Sequence, residues 1–436
     1  MYRNLKSFFY VVTLFLSNTV NAQDKKYISL IEVMDLSLRN HPQLAISRSA
    51  VAINDQQEKV AGLQKIPALT FSGSAFYMGD VFTLDKDFKD KSDIDIPNFG
   101  NSFALQAGQL LFKGGLIKKS IELANLRTQL SELDLKKDIQ NIKFLVVSNY
   151  LDLIRIDNQI RVLENNKTLA RERLKNVGKF YEQDMVTRNE VIRAELAIQN
   201  LDQALLTANN NRSIVNYQIN IALGLPEGTR LEPTDKSAIE NEHYPLDYYY
   251  QLSASQNPIL KAGEKNIELA EKNIALTKTE FYPGLSAVGG YNMQRPLMNS
   301  FPARDIYLNA WQVGVSLSYN IDNLYKTRQR VKTGELLKKQ AGEALFLTQQ
   351  NLSTAIYAGF VKYHEAIAQE IIAKEAKRLA DENYKIIDSK YLNQLAVQAE
   401  MTDAQNQKLQ ADIDYENALI NIRFQYYNLI KATGTL

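Results

Sequence analysis

The chain has 436 residues, 45% apolar and 23% charged, too apolar for a disordered polymer and long enough to bury a core. It has no cysteine, and its three histidines (His41, His243, His364) are far apart in sequence. Disulfides, thiolate chemistry and a lipid-modified N-terminal cysteine are therefore excluded, and no metal or cofactor is expected.

The N-terminus reads as an export signal. "MYRNLK" is basic, Phe8 to Leu16 form a short apolar run, and Val20 and Ala22 stand at the small-residue positions of a cleavage site. Cleavage after Ala22 starts the mature chain at Gln23 and removes Arg3 and Lys6. Lys+Arg then falls from 51 to 49 (51 − 2), equal to the 49 of Asp+Glu, and a near-neutral chain gives no basis for a nucleic-acid partner.

From there the chain repeats itself. Pro42 and Pro67 recur as Pro258 and Pro283, an offset of 216 in both cases. Phe103 to Leu111 recurs as Trp311 to Tyr319, offset 208. Tyr181, Glu190, Ala194, Tyr217 and Gly224 recur as Tyr391, Glu400, Ala404, Tyr427 and Gly434, offset 210. One order of matches with a slowly drifting offset indicates a duplicated unit far longer than a solenoid repeat. The reading is a signal at 1–22, a first repeat at 23–228, a linker at 229–245 and a second repeat at 246–436.

In each repeat a helical segment comes first, about Ser29–Gln64 and Leu246–Glu280, ended by a proline. Two strands follow, about 68–78 and 103–112, then 285–293 and 311–319. The first pair is joined by a charged, solvated loop, Asp80–Asn101. "WQVGVSLSY" alternates throughout, with Trp311, Val313, Val315, Leu317 and Tyr319 on one face and Gln312, Gly314, Ser316 and Ser318 on the other. Leu69, Phe71, Ala75 and Tyr77, and Leu285, Ala287, Tyr291 and Met293, form similar apolar rows. Strands of about ten residues are long enough to cross a bilayer when tilted, and Trp311, Tyr319 and Tyr77 at strand ends suit an interfacial girdle.

A very long helix comes next in each repeat. Proline is absent from Gly115 to Phe180 and from Asn323 to Lys390. Ile142, Val146, Asn149, Leu153, Ile156, Ile160 and Leu163 are spaced alternately four and three, a coiled-coil seam with one polar member. At about 1.5 Å per residue such a helix is a rod on the order of 100 Å. After a short break at "EQDM" or "LNQL" a returning helix runs to Gly224 or Gly434. The fold class is thus mainly α with a small β part, built from a duplicated helix–strand–strand–helix–helix unit. Four strands with apolar faces cannot sit in lipid with open edges, so in a membrane they require an oligomer to close the sheet.

The signal, the duplicated unit, the "NHP" and "QNP" starts, "LLFKGG" after the second strand, the turns "YEQDMVTRNEVIRAE" and "YLNQLAVQAEMTDAQ", and "ALGLPEG" resemble TolC-type outer-membrane efflux proteins over essentially the whole mature chain. The resemblance implies a homotrimer in which a periplasmic α-helical barrel joins a 12-stranded transmembrane β-barrel, four strands per chain. It implies an exit duct of a tripartite efflux or type I-like secretion system, partnered by a periplasmic adaptor protein, an inner-membrane transporter and outer-membrane lipid. It also implies a carboxylate constriction at Glu400 and Asp403, with Glu190 and Arg193 at the first-repeat positions. Adaptor-docking tips fall at Asp184, Met185, Gln394 and Leu395, where the family usually carries Gly-Leu pairs. A basic residue common at the closed tip falls on Ala396. The strand Trp311–Tyr319 would face lipid on its apolar side. No enzyme is expected, because the chain has no Gly-rich phosphate loop, metal spacing or nucleophile motif. The alternative is a secreted or surface-attached helical structural or adhesive protein without a channel.

Overall fold

The NHP and NP sequences each join two short helices around a proline and return a hydrogen bond to the end of a distant helix. Helix α1 (Leu30–Asn40) is capped by Ser29, whose hydroxyl accepts from the Glu32 N–H at 3.3 Å. Pro42 then opens α2 (Pro42–Gly62), at the helix position where a missing N–H costs nothing. The segment anticipated as one helix is thus two, broken at His41. The second repeat does the same with α5 (Leu246–Gln256) and α6 (Pro258–Thr277).

The computed structural model describes residues 25–235, 244–297, 303–393 and 395–436. The export signal at 1–22 lies outside the described residues. The long helices are α3 (Leu116–Glu182) and α7 (Asn323–Leu392), and the returning helices are α4 (Arg188–Leu223) and α8 (Gln398–Thr433). Gly224 and Gly434 cap the returning helices in the left-handed conformation, φ +67° and +81°. Asn40 donates to the Leu223 carbonyl at 2.7 Å and Asn257 to the Ala432 carbonyl at 3.2 Å, so each proline motif holds the end of its own repeat's returning helix.

The chain forms two compact units, each drawing on both repeats. The first comprises the described residues of Met1–Arg48 with Asp134–Leu260 and Thr348–Leu436. Its core joins Val146, Val147, Tyr150 and Leu153 of α3 to Ile219 and Leu223 of α4. The anticipated seam is buried at Ile142, Val146, Leu153, Ile156 and Leu163. Strand β1 (Lys25–Ile28) pairs in parallel with β6 (Arg230–Pro233), inside the stretch read as linker. Tyr150 hydroxyl bonds the Ile28 carbonyl at 2.9 Å and the Asp235 carboxylate at 2.8 Å, tying this small sheet to α3.

The second unit, Ser49–Leu133 and Lys261–Leu347, holds a four-stranded antiparallel sheet. Its order is β2 (Ala68–Tyr77), β5 (Phe99–Phe112), β7 (Gly284–Arg295) and β8 (Leu308–Ser318). The repeats meet where β5 pairs with β7. Three sequence expectations are corrected here. The excursion at Asp80–Asn101 contains a hairpin, β3 (Val81–Leu84) with β4 (Lys91–Ile94), because Val81–Phe82 and Ile94 flank a turn closed by the Asp85 side chain. Strand β5 begins at Phe99, since Phe99 to Ser102 pair with Tyr77 to Ser74. Strand β8 spans Leu308–Ser318, so Trp311 lies inside it and Tyr319 falls beyond its end, where Asn320 to Asp322 turn into α7.

Candidate functional site

The register decides what the sheet exposes. Directly paired residues of an antiparallel sheet project to the same side. Leu317 pairs with Leu285, Val315 with Ala287, Val313 with Gly289 and Trp311 with Tyr291. Tyr291 pairs in turn with Leu105, and Leu105 with Phe71; Met293 pairs with Phe103, and Ala107 with Leu69. The three rows predicted separately from alternation therefore merge into one largely apolar face, interrupted by Gln109 opposite Ala287 and bordered by Asn101, Arg295 and Asn309. Thr70, Ser72, Ser74, Ser102, Gln106, Ser286, Asn292, Gln312, Ser316 and Ser318 occupy the other. Trp311, Val313, Val315 and Leu317 are each 66% to 80% exposed in a single copy, so among the described residues nothing covers this part of the face. Tyr319, beyond the strand, is half-buried.

Among the described residues both outer strands, β2 of 10 residues and β8 of 11, have a free side. They run in opposite directions, because every pairing between them is antiparallel. A β8 set beside the β2 of another copy would thus continue the same antiparallel pattern.

The turn into α3 is rigid. Gly114 and Gly115 both have positive φ, +57° and +79°, and a Cβ on Gly114 would collide with the Tyr282 ring. That ring meets Phe112 edge-on at 6.2 Å. "FKGG" is therefore a strand-to-helix corner that a side chain at Gly114 would block.

In the first unit the two helix turns share one geometry at the repeat offset of 210. The Met185 N–H donates to the Phe180 carbonyl at 2.9 Å, and the Leu395 N–H to the Lys390 carbonyl at 2.8 Å. Asp184 takes the left-handed conformation, φ 58°, at the place where a helix end favours glycine. Met185 and Leu395 are exposed, Leu395 at 77%. Gln394 lies outside the described residues. Below the turns, Val177 and Val191 pack with Tyr391 and Met401, joining the two hairpins at their tips.

The anticipated constriction residues do not bond to one another. Among the described residues no hydrogen bond or ion pair joins Glu400, Asp403, Glu190 and Arg193. Glu400 accepts from the Val397 N–H at 3.0 Å, satisfying a free donor at the start of its own helix. Asp403 accepts from Gln407 at 2.7 Å, and both carboxylates are exposed, as is Arg193. Glu190 instead reaches the other repeat, accepting from the Tyr391 hydroxyl at 3.5 Å. Burial first, and then the Glu190 charge, raise the Tyr391 pKa.

Two features of this unit had not been anticipated. Arg173 is buried, donates to the Gln405 side chain and lies over the Tyr391 ring at 5.6 Å, and burial lowers its pKa. Lys167 pairs with Asp202, and 210 residues on Lys377 pairs with Asp412 at 3.1 Å. The second hairpin adds Lys408, bound to Asp381 and 3.4 Å from Asp412. Burial works against the Lys408 ammonium, but its hydrogen bond to Asp381 and the charge of Asp412 outweigh it and raise its pKa. The recurrence of Lys and Asp at the repeat offset was a readable signal. Arg173 carried none, since Asn383 stands at its repeat position.

Residues 249–435 match the family model described as outer membrane efflux protein. No curated protein sequence matches the chain. Its fold is that of solved outer-membrane channels. It is similar to the outer-membrane channel OprN at 15% identity and a TM-score of 0.78, over 93% of this chain and 90% of that one. It is similar to the outer membrane protein VceC of Vibrio cholerae at 15% identity and 0.76, over 93% and 96%. It is similar to the CmeC outer membrane channel of Campylobacter jejuni at 16% identity and 0.75, over 93% and 85%.

Proposed function

We propose that the chain is the outer-membrane exit duct of a tripartite efflux or type I-like secretion system, passively exporting small molecules or polypeptides. The match of residues 249–435 to the outer membrane efflux protein family supports this reading. The single observation that carries it is a sheet with one largely apolar face, one largely polar face and, among the described residues, two free antiparallel edges. Hydrocarbon accepts such a sheet only when the edges are closed. Three copies contribute 3 × 4 = 12 strands, enough for a barrel with a wet lumen.

In this reading Trp311, Val313, Val315 and Leu317 face lipid, and Ser316 and Ser318 face water. The turns at Asp184–Met185 and at Leu395 meet a periplasmic adaptor that links the duct to an inner-membrane transporter. Glu400 and Asp403, presented once per copy, ring the periplasmic mouth. Negative charge there favours cations and opposes anions.

The test is physical. The protein should leave membranes only with detergent, sediment with the mass of three chains and conduct ions in a planar bilayer. A water-soluble single chain without conductance would overturn the duct and favour a secreted structural or adhesive protein.

A further inference from the structure

The apolar face of the sheet does not end in bare solvent. Its last row is Leu317, Leu285 and Phe112, paired in register across three strands. Phe112 also lines a cavity of about 550 Å³ at the corner where β5 turns into α3. Leu110, Leu116 and Ile121 line the same cavity, together with Lys65, Lys113 and Lys118. Among the described residues none of these three lysines takes part in an ion pair. Glu122, which lines the cavity too, is held by Lys272 at 2.8 Å and also feels the charge of Lys118, which leaves Lys65 and Lys113 without a carboxylate of their own among the described residues. The corner is fixed by Gly114 and Tyr282, and Lys119 is turned away to the Gly114 carbonyl at 2.9 Å.

The internal duplication supplies a comparison. At the matching corner of the second repeat, Phe281 stands for Lys65 and Ile321 for Lys113. Lys326 stands for Lys118, but it is paired with Asp322. The strand-to-helix corner of the second repeat therefore forms without the cations of Lys65 and Lys113. Nothing in the shared architecture requires them, and three lysines against one carboxylate at the rim of an apolar cavity give it an excess of positive charge that complements an anion.

We propose that this cavity holds the headgroup of an anionic phospholipid, its acyl chains lying along the apolar face that begins at Phe112. The inference rests on the outer-membrane reading above. It assigns the cavity to the leaflet at the helix end of the sheet, where phosphodiester groups and hydrocarbon meet. Charge complementarity fixes the headgroup as anionic, and continuity with the apolar face fixes the ligand as a lipid rather than a free ion.

The test is native mass spectrometry of the intact protein released from mild detergent, after incubation with phosphatidylglycerol or with phosphatidylcholine. The wild type should retain phosphatidylglycerol preferentially. The triple variant Lys65→Gln, Lys113→Gln, Lys118→Gln should lose that preference, roughly fivefold per lysine and about a hundredfold together. Lys326→Gln, the matching change in the second repeat, should leave it unaltered. Oligomer mass and conductance are recorded on the same samples. A triple variant that conducts and keeps phosphatidylglycerol as the wild type does overturns the lipid site and leaves the duct standing. Displacement of the lipid by excess inorganic phosphate overturns it in favour of a soluble-anion site. A wild-type protein that is soluble without detergent overturns both readings.

Discussion

Lys377 and Asp412 pair at 3.1 Å across the second helical hairpin, 210 residues on from Lys167 and Asp202, which pair across the first. The duplication has preserved an interhelical contact as well as a fold. Asp412 has a second partner in Lys408, and its side chain is only 12% exposed. Asp412→Asn should therefore cost roughly 2–3 kcal/mol, because it leaves two partly buried ammonium groups undermatched, against about 1 kcal/mol for Asp202→Asn. Urea titration of the two variants in detergent checks the order, and equal losses would sink it. Lys408 adds a pH signature. Its folded pKa is raised, so its stabilisation is complete below the ordinary lysine value near about 10 and fades as pH rises through the folded value. Asp381→Asn should flatten that alkaline decline.

Charge on the sheet should be tolerated by face. Val315→Arg should cost roughly 2–4 kcal/mol per copy and abolish assembly, while Ser316→Arg, on the polar face, should leave the oligomer intact. The fraction of oligomer on unheated gels reads this directly. Equal loss from both variants would refute the assigned face.

The carboxylates of the second turn can be stripped of charge without losing the helix start. Gln at position 400 still accepts from the Val397 N–H. Glu400→Gln with Asp403→Asn should thus keep the oligomer and lower cation preference and multivalent-cation block in planar-bilayer recordings. Unchanged selectivity and block would reduce Glu400 to a helix-capping role.

Asp184 occupies a left-handed position that glycine fills at no steric cost. Asp184→Gly should slow hydrogen exchange across Phe180–Thr187, stabilising the turn by up to ~1 kcal/mol, and Asp184→Val should speed it. A valine variant that exchanges no faster would show that the turn is not built as described.

The mature chain should begin at Gln23. Intact mass of protein purified from the cell envelope decides this, and a mass that includes residues 1–22 rejects it.

Periodicity carried the fold far. The period-two rows of Leu69–Tyr77, Leu285–Met293 and Trp311–Leu317 placed the right residues on one face before any pairing was known, because a strand has only two sides. The four-and-three spacing from Ile142 to Leu163 marked buried residues for a similar reason. Ends and irregular pieces were harder to read. Tyr319 continues the alternation, but backbone hydrogen bonds rather than pattern end the strand at Ser318. The β3–β4 hairpin hid in a stretch whose charges suggest only solvation. Arg173 and the Tyr391–Glu190 contact depend on side chains from different hairpins, which spacing along one helix cannot foretell. Lys65 and Lys113 lie on different elements, and only the corner brings them to one cavity.

Among the described residues each outer strand of the sheet has one flank without a ladder partner. A lone copy in water is therefore a template: ten residues of β2 and eleven of β8 can recruit any extended segment that drifts past, with an apolar face to hold it. If the sheet closes with other copies as proposed, the hazard lasts only as long as the copy stays alone. Yield is then set by a race between meeting the right neighbour and meeting the wrong one. Dilution slows the first encounter, overproduction invites the second, and the melting point of such a protein has no meaning apart from the number of copies in the sample.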